Sequence, residues 1–240
     1  MKQGDILKSI IIKVIKQFSK YQVATAIAIL FHIIGIVGIL FFNAGFFIRS
    51  TPYNLLLMFV LLYWTQQQKN KYFLLFTVLV FFIGVGVEIA GVNTGAIFGN
   101  YFYGNVLGYK VSGVPLIIGI NWFLIIYCCG IFMHTLLMRA INRIALNSGA
   151  KPMRLKALSV IVDGATIAVF FDWIMEPVAV KLGFWQWKGE LPIYNYFSWF
   201  MVSIVLLAIF HFLPFSKNNK FAIHLLMIQL MFFLLLRTFL

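Results

Sequence analysis

Runs of about twenty apolar residues recur along this chain, and this feature restricts the fold more than any other. A helix of that length crosses the hydrocarbon core of a bilayer. Spans are expected near 22–42, 50–65, 72–90, 114–138, 157–177, 193–213 and 221–239, the second being the shortest. Apolar side chains make up 62% of the residues and charged ones only 10%, against about 25% charged in a soluble domain. The expected fold is all-α: a polytopic membrane helix bundle with about seven transmembrane helices. Nothing is left over for a separate soluble domain, so residues 22–240 are read as a single transmembrane domain.

The formal net charge of +13 is that of many nucleic-acid-binding proteins, but its distribution argues against nucleic acid. Arg49, Lys110, Lys181, Lys188 and Arg237 fall at one set of span ends, and the other 14 basic residues fall at the opposite set. Lys and Arg accumulate in cytoplasmic loops. The N-terminus is therefore expected inside, with anionic membrane lipids as partners of the positive charge. Ahead of the first span, Ile6, Leu7, Ile10, Ile11, Val14, Ile15 and Phe18 recur at helical spacing, with Lys13, Lys16 and Lys20 on another face. Residues 1–21 are expected to form an amphipathic interfacial helix. The spread of lysines through that segment does not fit a secretory signal peptide.

Two loops on the less basic side are unusual. Residues 91–113 hold six glycines and three tyrosines, too polar and too glycine-rich for a simple span. Irregular backbone at membrane depth survives where it is buried in protein or lines a cavity, so this segment is expected to fold back as a lid or re-entrant loop. The second loop, 178–192, carries Trp185 and Trp187 two residues apart. An aromatic belt at the membrane interface is the plain explanation for that pair.

The chain has only six acids. Asp5 and Glu190 lie in a terminal segment and a loop, whereas Glu88, Asp163, Asp172 and Glu176 fall within or at the ends of spans. A carboxylate at the centre of a membrane helix costs about 2.5–3.5 kcal/mol on insertion scales, and such residues usually face the bundle interior and act there. Glu88, Asp172 and Glu176 all lie toward the unusual loops, and Asp172 and Glu176, four apart, share a helix face. Asp163 lies toward the other side, where Arg154 or Lys156 is a ready partner. No lysine or arginine lies deep in a span, a setting that favours the neutral acid. Neutral acids donate protons, and aromatic faces stabilise cations. Protonation of an alkene to a carbocation held by π faces suits this combination.

Other chemistries fit less well. His32, His134, His211 and His224 show no clustered metal-ligand spacing, so no metal is expected, and each histidine reads as a helix–helix hydrogen-bonding residue. Adjacent Cys128 and Cys129 diverge on a helix and read as packing residues. The last span contains no lysine for a retinal Schiff base. No Walker loop, GxSxG elbow or dinucleotide fingerprint is present.

Two constellations carry a family resemblance. One is the unbroken run from Glu88 through Gly91, Asn93, Thr94, Gly95, Phe98, Gly99, Tyr101 and Tyr103 to Gly104, followed by Leu107-Gly108 and Gly113-Val114-Pro115. The other is Asp172, Glu176-Pro177-Val178-Ala179, Gly183, Trp185, Trp187, Pro192, Asn195 and Trp199. Over roughly 70–215 the chain resembles the carotenoid biosynthesis membrane protein family, which includes carotenoid 1′,2′-hydratases of the bisanhydrobacterioruberin hydratase type. The resemblance implies addition of water to the terminal double bond of an acyclic carotenoid, with no redox cofactor, in a bacterial or archaeal cytoplasmic membrane. The partners it implies are a hydrophobic carotenoid substrate and other enzymes of the same pathway. Glu88 and Asp172 are then the expected acid/base pair, with the donor left open between them, and Glu176 orients water or tunes a neighbour. Asn93, Thr94, Tyr101, Tyr103 and Asn195 are the candidates to position water. Trp122, Trp185, Trp187 and Trp199 are the candidates for the cavity wall. The same cation chemistry also suits a membrane lycopene-type cyclase. Buried acids suit a proton-coupled transporter or lipophile carrier as well, although no inverted repeat is visible.

Overall fold

The computed structural model describes residues 18–148 and 153–240. The expected interfacial helix over 1–21 lies, as far as residue 17, outside them. The described residues form eight helices: α1 Lys20–Phe41, α2 Ala44–Arg49, α3 Thr51–Thr65, α4 Lys71–Thr94, α5 Ile117–Ser148, α6 Met153–Lys181, α7 Tyr194–Phe212 and α8 Lys220–Phe239. Six of them, α1 and α4 to α8, are long and apolar enough to cross a membrane, and the chain is an integral membrane protein of the all-α class.

The segment expected as a span over 50–65 is the exception. Its helix α3 has 15 residues, about 22 Å at 1.5 Å per residue, short of the roughly 30 Å hydrocarbon core. It nevertheless runs from one end of the bundle to the other. At its start, Ser50, Thr51 and Leu55 share a cavity wall with Leu182 and Phe184. At its end, Gln66 turns away from helical geometry and donates from Nε2 to the Ser216 carbonyl at 2.9 Å. Tyr127 of α5 donates to Gln66 Oε1 at 2.5 Å, and Asn219 Nδ2 donates to the Tyr127 hydroxyl at 3.2 Å. With no water to serve them, buried polar groups must find protein partners, and this knot fastens the α3–α4 turn to the α7–α8 turn.

Helix α5 is the centre of the bundle. Of its membrane-length window 72% is buried, against 28–44% for the other five. Helix α4 packs closely on it at Gly84, where a Cβ would lie 2.8 Å from Cβ and Cγ of Trp122. Gly95, at φ 68°, ends α4 in the left-handed region, its amide bonded to the Gly91 carbonyl at 2.8 Å, as glycine does at helix C-termini.

Beyond that glycine the chain forms short strands: β1 Tyr101–Tyr103, β2 Lys110–Val111, β3 Val114–Pro115 and, between α6 and α7, β4 Trp185–Trp187. Strands β2 and β3 pair with each other. Strand β1 pairs antiparallel with β4 across the two unusual loops, Tyr101 opposite Trp187 and Tyr103 opposite Trp185. The glycine-rich segment is therefore a lid, joined to the tryptophan loop as one ribbon. Side chains alternate across a strand, so these four aromatics share a face and Phe102 and Gln186 share the other.

Pro177 interrupts α6. Lacking an N–H, it leaves the carbonyl four residues back, that of Trp173, without its helical donor. Arg237 of α8 supplies one: its Nη1 lies 3.1 Å from that oxygen, with the guanidinium 4.4 Å from the Trp173 ring centroid. Arg237→Met keeps the stem and removes the donor. It is expected to lower stability by about 1–2 kcal/mol, read as a lower thermal unfolding midpoint in detergent.

Candidate active site

Four helices and the lid ribbon meet over one small polar cavity. Helix α4 brings Glu88, and α6 brings Asp172 and Glu176 from successive turns of one face. The ribbon contributes Tyr101, Tyr103, Trp185 and Trp187, helix α5 Trp122, and α7 Asn195 and Trp199. The acids are buried, with 4% of Glu88, 0% of Asp172 and 5% of Glu176 exposed. The cavity has a volume of about 30 Å³, room for two or three waters, which need roughly 10–15 Å³ each on this measure. No basic side chain lines it among the described residues.

The three carboxyls are held differently. Glu88 accepts three bonds: Oε2 takes the hydroxyls of Tyr101 at 2.5 Å and Tyr103 at 2.7 Å, and Oε1 takes the indole N–H of Trp122 at 3.0 Å. Oε1 of Glu176 takes the indole N–H groups of Trp185 at 2.8 Å and Trp187 at 2.5 Å. Indole N–H groups can only donate, so those oxygens must accept. Asp172 is served least. Its Oδ2 accepts from Asn195 Nδ2 at 3.3 Å, and its Oδ1 is buried with no partner among the described residues. Of the three carboxyls, Asp172 is thus the one with a buried oxygen left without a donor among the described residues.

The tyrosines depend on the acid they serve. Burial first, and then the Glu88 charge, push the Tyr101 and Tyr103 phenols well above the usual tyrosine range, so both remain donors. Behind them the aromatics pack edge to face or tilted, with centroids 5.2 Å apart for Tyr101–Trp187 and 6.0 Å for Tyr103–Trp185. Trp122 and Trp199 stack at 4.1 Å with planes 18° apart.

Of the residues expected at a site, Glu88, Asp172, Glu176, Tyr101, Tyr103, Trp122, Trp185, Trp187, Asn195 and Trp199 all line this cavity. Asn93 and Thr94 do not. They are exposed at the end of α4, where Asn93 Nδ2 donates to the Ile89 and Ser112 carbonyls and Thr94 Oγ1 donates to Ala90. Asp163 also lies elsewhere and accepts from the Ser159 hydroxyl. His224, by contrast, bridges helices as expected, its Nδ1 2.8 Å from Thr25 Oγ1 on α1. Sequence reasoning missed Asn121, Phe98, Ile118 and Met175 in the lining. Asn121 had a signal: an amide in an apolar run, next to Trp122.

The family described as "Carotenoid biosynthesis protein" matches residues 51–240. No curated protein and no solved structure matches.

The lid bonds carry a pH dependence with a definite sign. An unfolded chain loses phenolic protons near pH ~10, whereas the folded chain holds those of Tyr101 and Tyr103. The unfolded state then binds fewer protons, so stability falls as pH rises past about 10. Tyr101→Phe/Tyr103→Phe is expected to cost about 1–3 kcal/mol for each lost bond. It should also flatten the alkaline fall in unfolding temperature, which a pH series of thermal melts would read.

Proposed function

The chain belongs to the carotenoid biosynthesis protein family, and from that premise we propose that it is a hydratase adding water across the terminal C1′–C2′ double bond of an acyclic carotenoid. One observation supports this reading: a water-sized cavity gathers three buried carboxyls under an aromatic lid, and one of them, Asp172, keeps an oxygen with no partner among the described residues.

In this mechanism Asp172 is the acid. Its carboxyl proton goes to C2′, and the π electrons form the new C–H bond, leaving a tertiary cation at C1′. The indole faces of Trp122 and Trp199 and the carboxylates of Glu88 and Glu176 stabilise that charge. A cavity water attacks C1′ through an oxygen lone pair, and the resulting oxonium returns a proton to Asp172. The sum is alkene plus water giving a tertiary alcohol, with the acid regenerated and no electron gained or lost. Asn195 positions Asp172, and Tyr101, Tyr103, Trp185 and Trp187 hold the other two acids. Ring closure would consume the same cation with an internal double bond and would require water to be kept out. A polar cavity of water dimensions favours capture by water instead.

The test is expression in a lycopene-producing bacterium with ¹⁸O-labelled water and mass spectrometry of the pigments. The expected product is heavier by one labelled water. Asp172→Asn should lower its formation by about 10²–10⁴-fold, the usual contribution of a general acid. Full turnover in that variant would remove Asp172 from the chemistry. A product of unchanged mass would replace hydration by cyclisation or isomerisation.

A further inference from the structure

The acid cavity has room for water but not for the end of an isoprenoid chain, so the double bond must reach it through adjoining space. A second cavity of about 300 Å³ lies between α1, α2, α3, α5 and α8 and is lined mainly by apolar atoms. That volume is at the lower end of small-molecule sites, about 300–1,000 Å³. Two features link it to the reaction. Asn121 lines both this cavity and the acid cavity, and its amide makes no hydrogen bond among the described residues. At the other end, Phe31, Ile34, Phe46 and Tyr53 of the lining are 44–74% exposed, so the mouth opens on the lipid-facing side of the bundle. A third, wholly apolar cavity of about 220 Å³, lined by Val78, Phe82 and neighbours, shares no residue with the acid cavity.

We propose that the 300 Å³ cavity is the slot through which one end of a linear isoprenoid chain enters from the bilayer and reaches the acids past Asn121, the rest of the chain remaining in lipid. This inference rests on the acid cavity being the reacting site. Apolar walls suit a hydrocarbon chain, and a lateral mouth suits a substrate dissolved in lipid rather than in water. Closure of a slot this size needs only one large side chain. Leu55 and Gly35 stand in its wall, and a Cβ on Gly35 would make only ordinary contact with Phe232, at 3.4 Å.

The experiment uses the full chain in lipid nanodiscs loaded with lycopene, reading pigment retained per protein and water added. Leu55→Trp and Gly35→Leu should each retain at least about tenfold less pigment than wild type. Val78→Trp, which crowds the third cavity instead, should retain wild-type levels. Wild-type retention in both slot variants would overturn the proposal, as would equal loss in Val78→Trp or no retention by the wild type. Should a slot variant lose its folded melting transition, the wild-type chain decides the matter with a diazirine-bearing isoprenoid chain. Crosslinks must then fall on α1, α2 or α3 at the mouth, and crosslinks around Val78 and Phe82 would overturn the slot. The two readings separate cleanly. Pigment lost from the slot variants with no water added by any chain would keep the slot and remove hydration. Water added by the slot variants at the wild-type rate would keep hydration and remove the slot.

Discussion

A carboxyl group sealed inside an apolar bundle must be given donors, and Glu88 draws its three from outside its own helix: two from strand β1 and one from α5. The lid exists on the same terms. A ribbon of two three-residue strands has almost no stability of its own, so β1 and β4 are held by what their inward side chains do. Tyr101 and Tyr103 tie β1 to Glu88, and Trp185 and Trp187 tie β4 to Glu176. The acids organise the lid, and the lid satisfies the acids. Neither would be tolerable without the other.

The same rule, that membrane-buried polar groups must be paired within the protein, explains the remaining polar contacts. Gln66, Tyr127 and Asn219 close the end of the bundle away from the lid. Arg237 repairs the carbonyl that Pro177 leaves open, one residue after Glu176. Against that background Asp172 Oδ1 stands out. Like Asn54 Oδ1 and Ser203 Oγ it is buried and unpaired among the described residues, but of the three residues only Asp172 lines the acid cavity. An unsatisfied buried group is expected where chemistry uses it, and the proposed acid role follows from that exception.

Much of the site was readable as composition set against context. Glu88, Asp172 and Glu176 are conspicuous because carboxyls are rare and costly in spans, and the i, i+4 spacing of the last two already placed them on one face. The glycine-rich lid was readable from its unsuitability as a span. The pairing of Tyr-x-Tyr with Trp-x-Trp was not, because the two motifs lie more than eighty residues apart and each alone suits an interfacial belt. Asn93 and Thr94 lie outside the acid cavity for the opposite reason. They sit in the motif, but side chains of this type also bond to nearby backbone at helix ends, and there they stay.

What the sequence determined by itself was the membrane, the helical class, the rarity of the acids and the loops that would cover them. These follow from local hydrophobicity and from the expense of charge in lipid. Tertiary structure alone decided which apolar surface faces inward. Trp122 is fully buried against Glu88, whereas Trp173, next to Asp172, is 47% exposed, and both stand in equally apolar runs. Lipid is as apolar as a bundle core, so the polar–apolar contrast that marks the inner face of a soluble helix is missing here. The short crossing of α3, the central place of α5 and the shared wall at Asn121 were therefore settled by packing, where shape and hydrogen-bond partners rather than hydrophobicity distinguish inside from out.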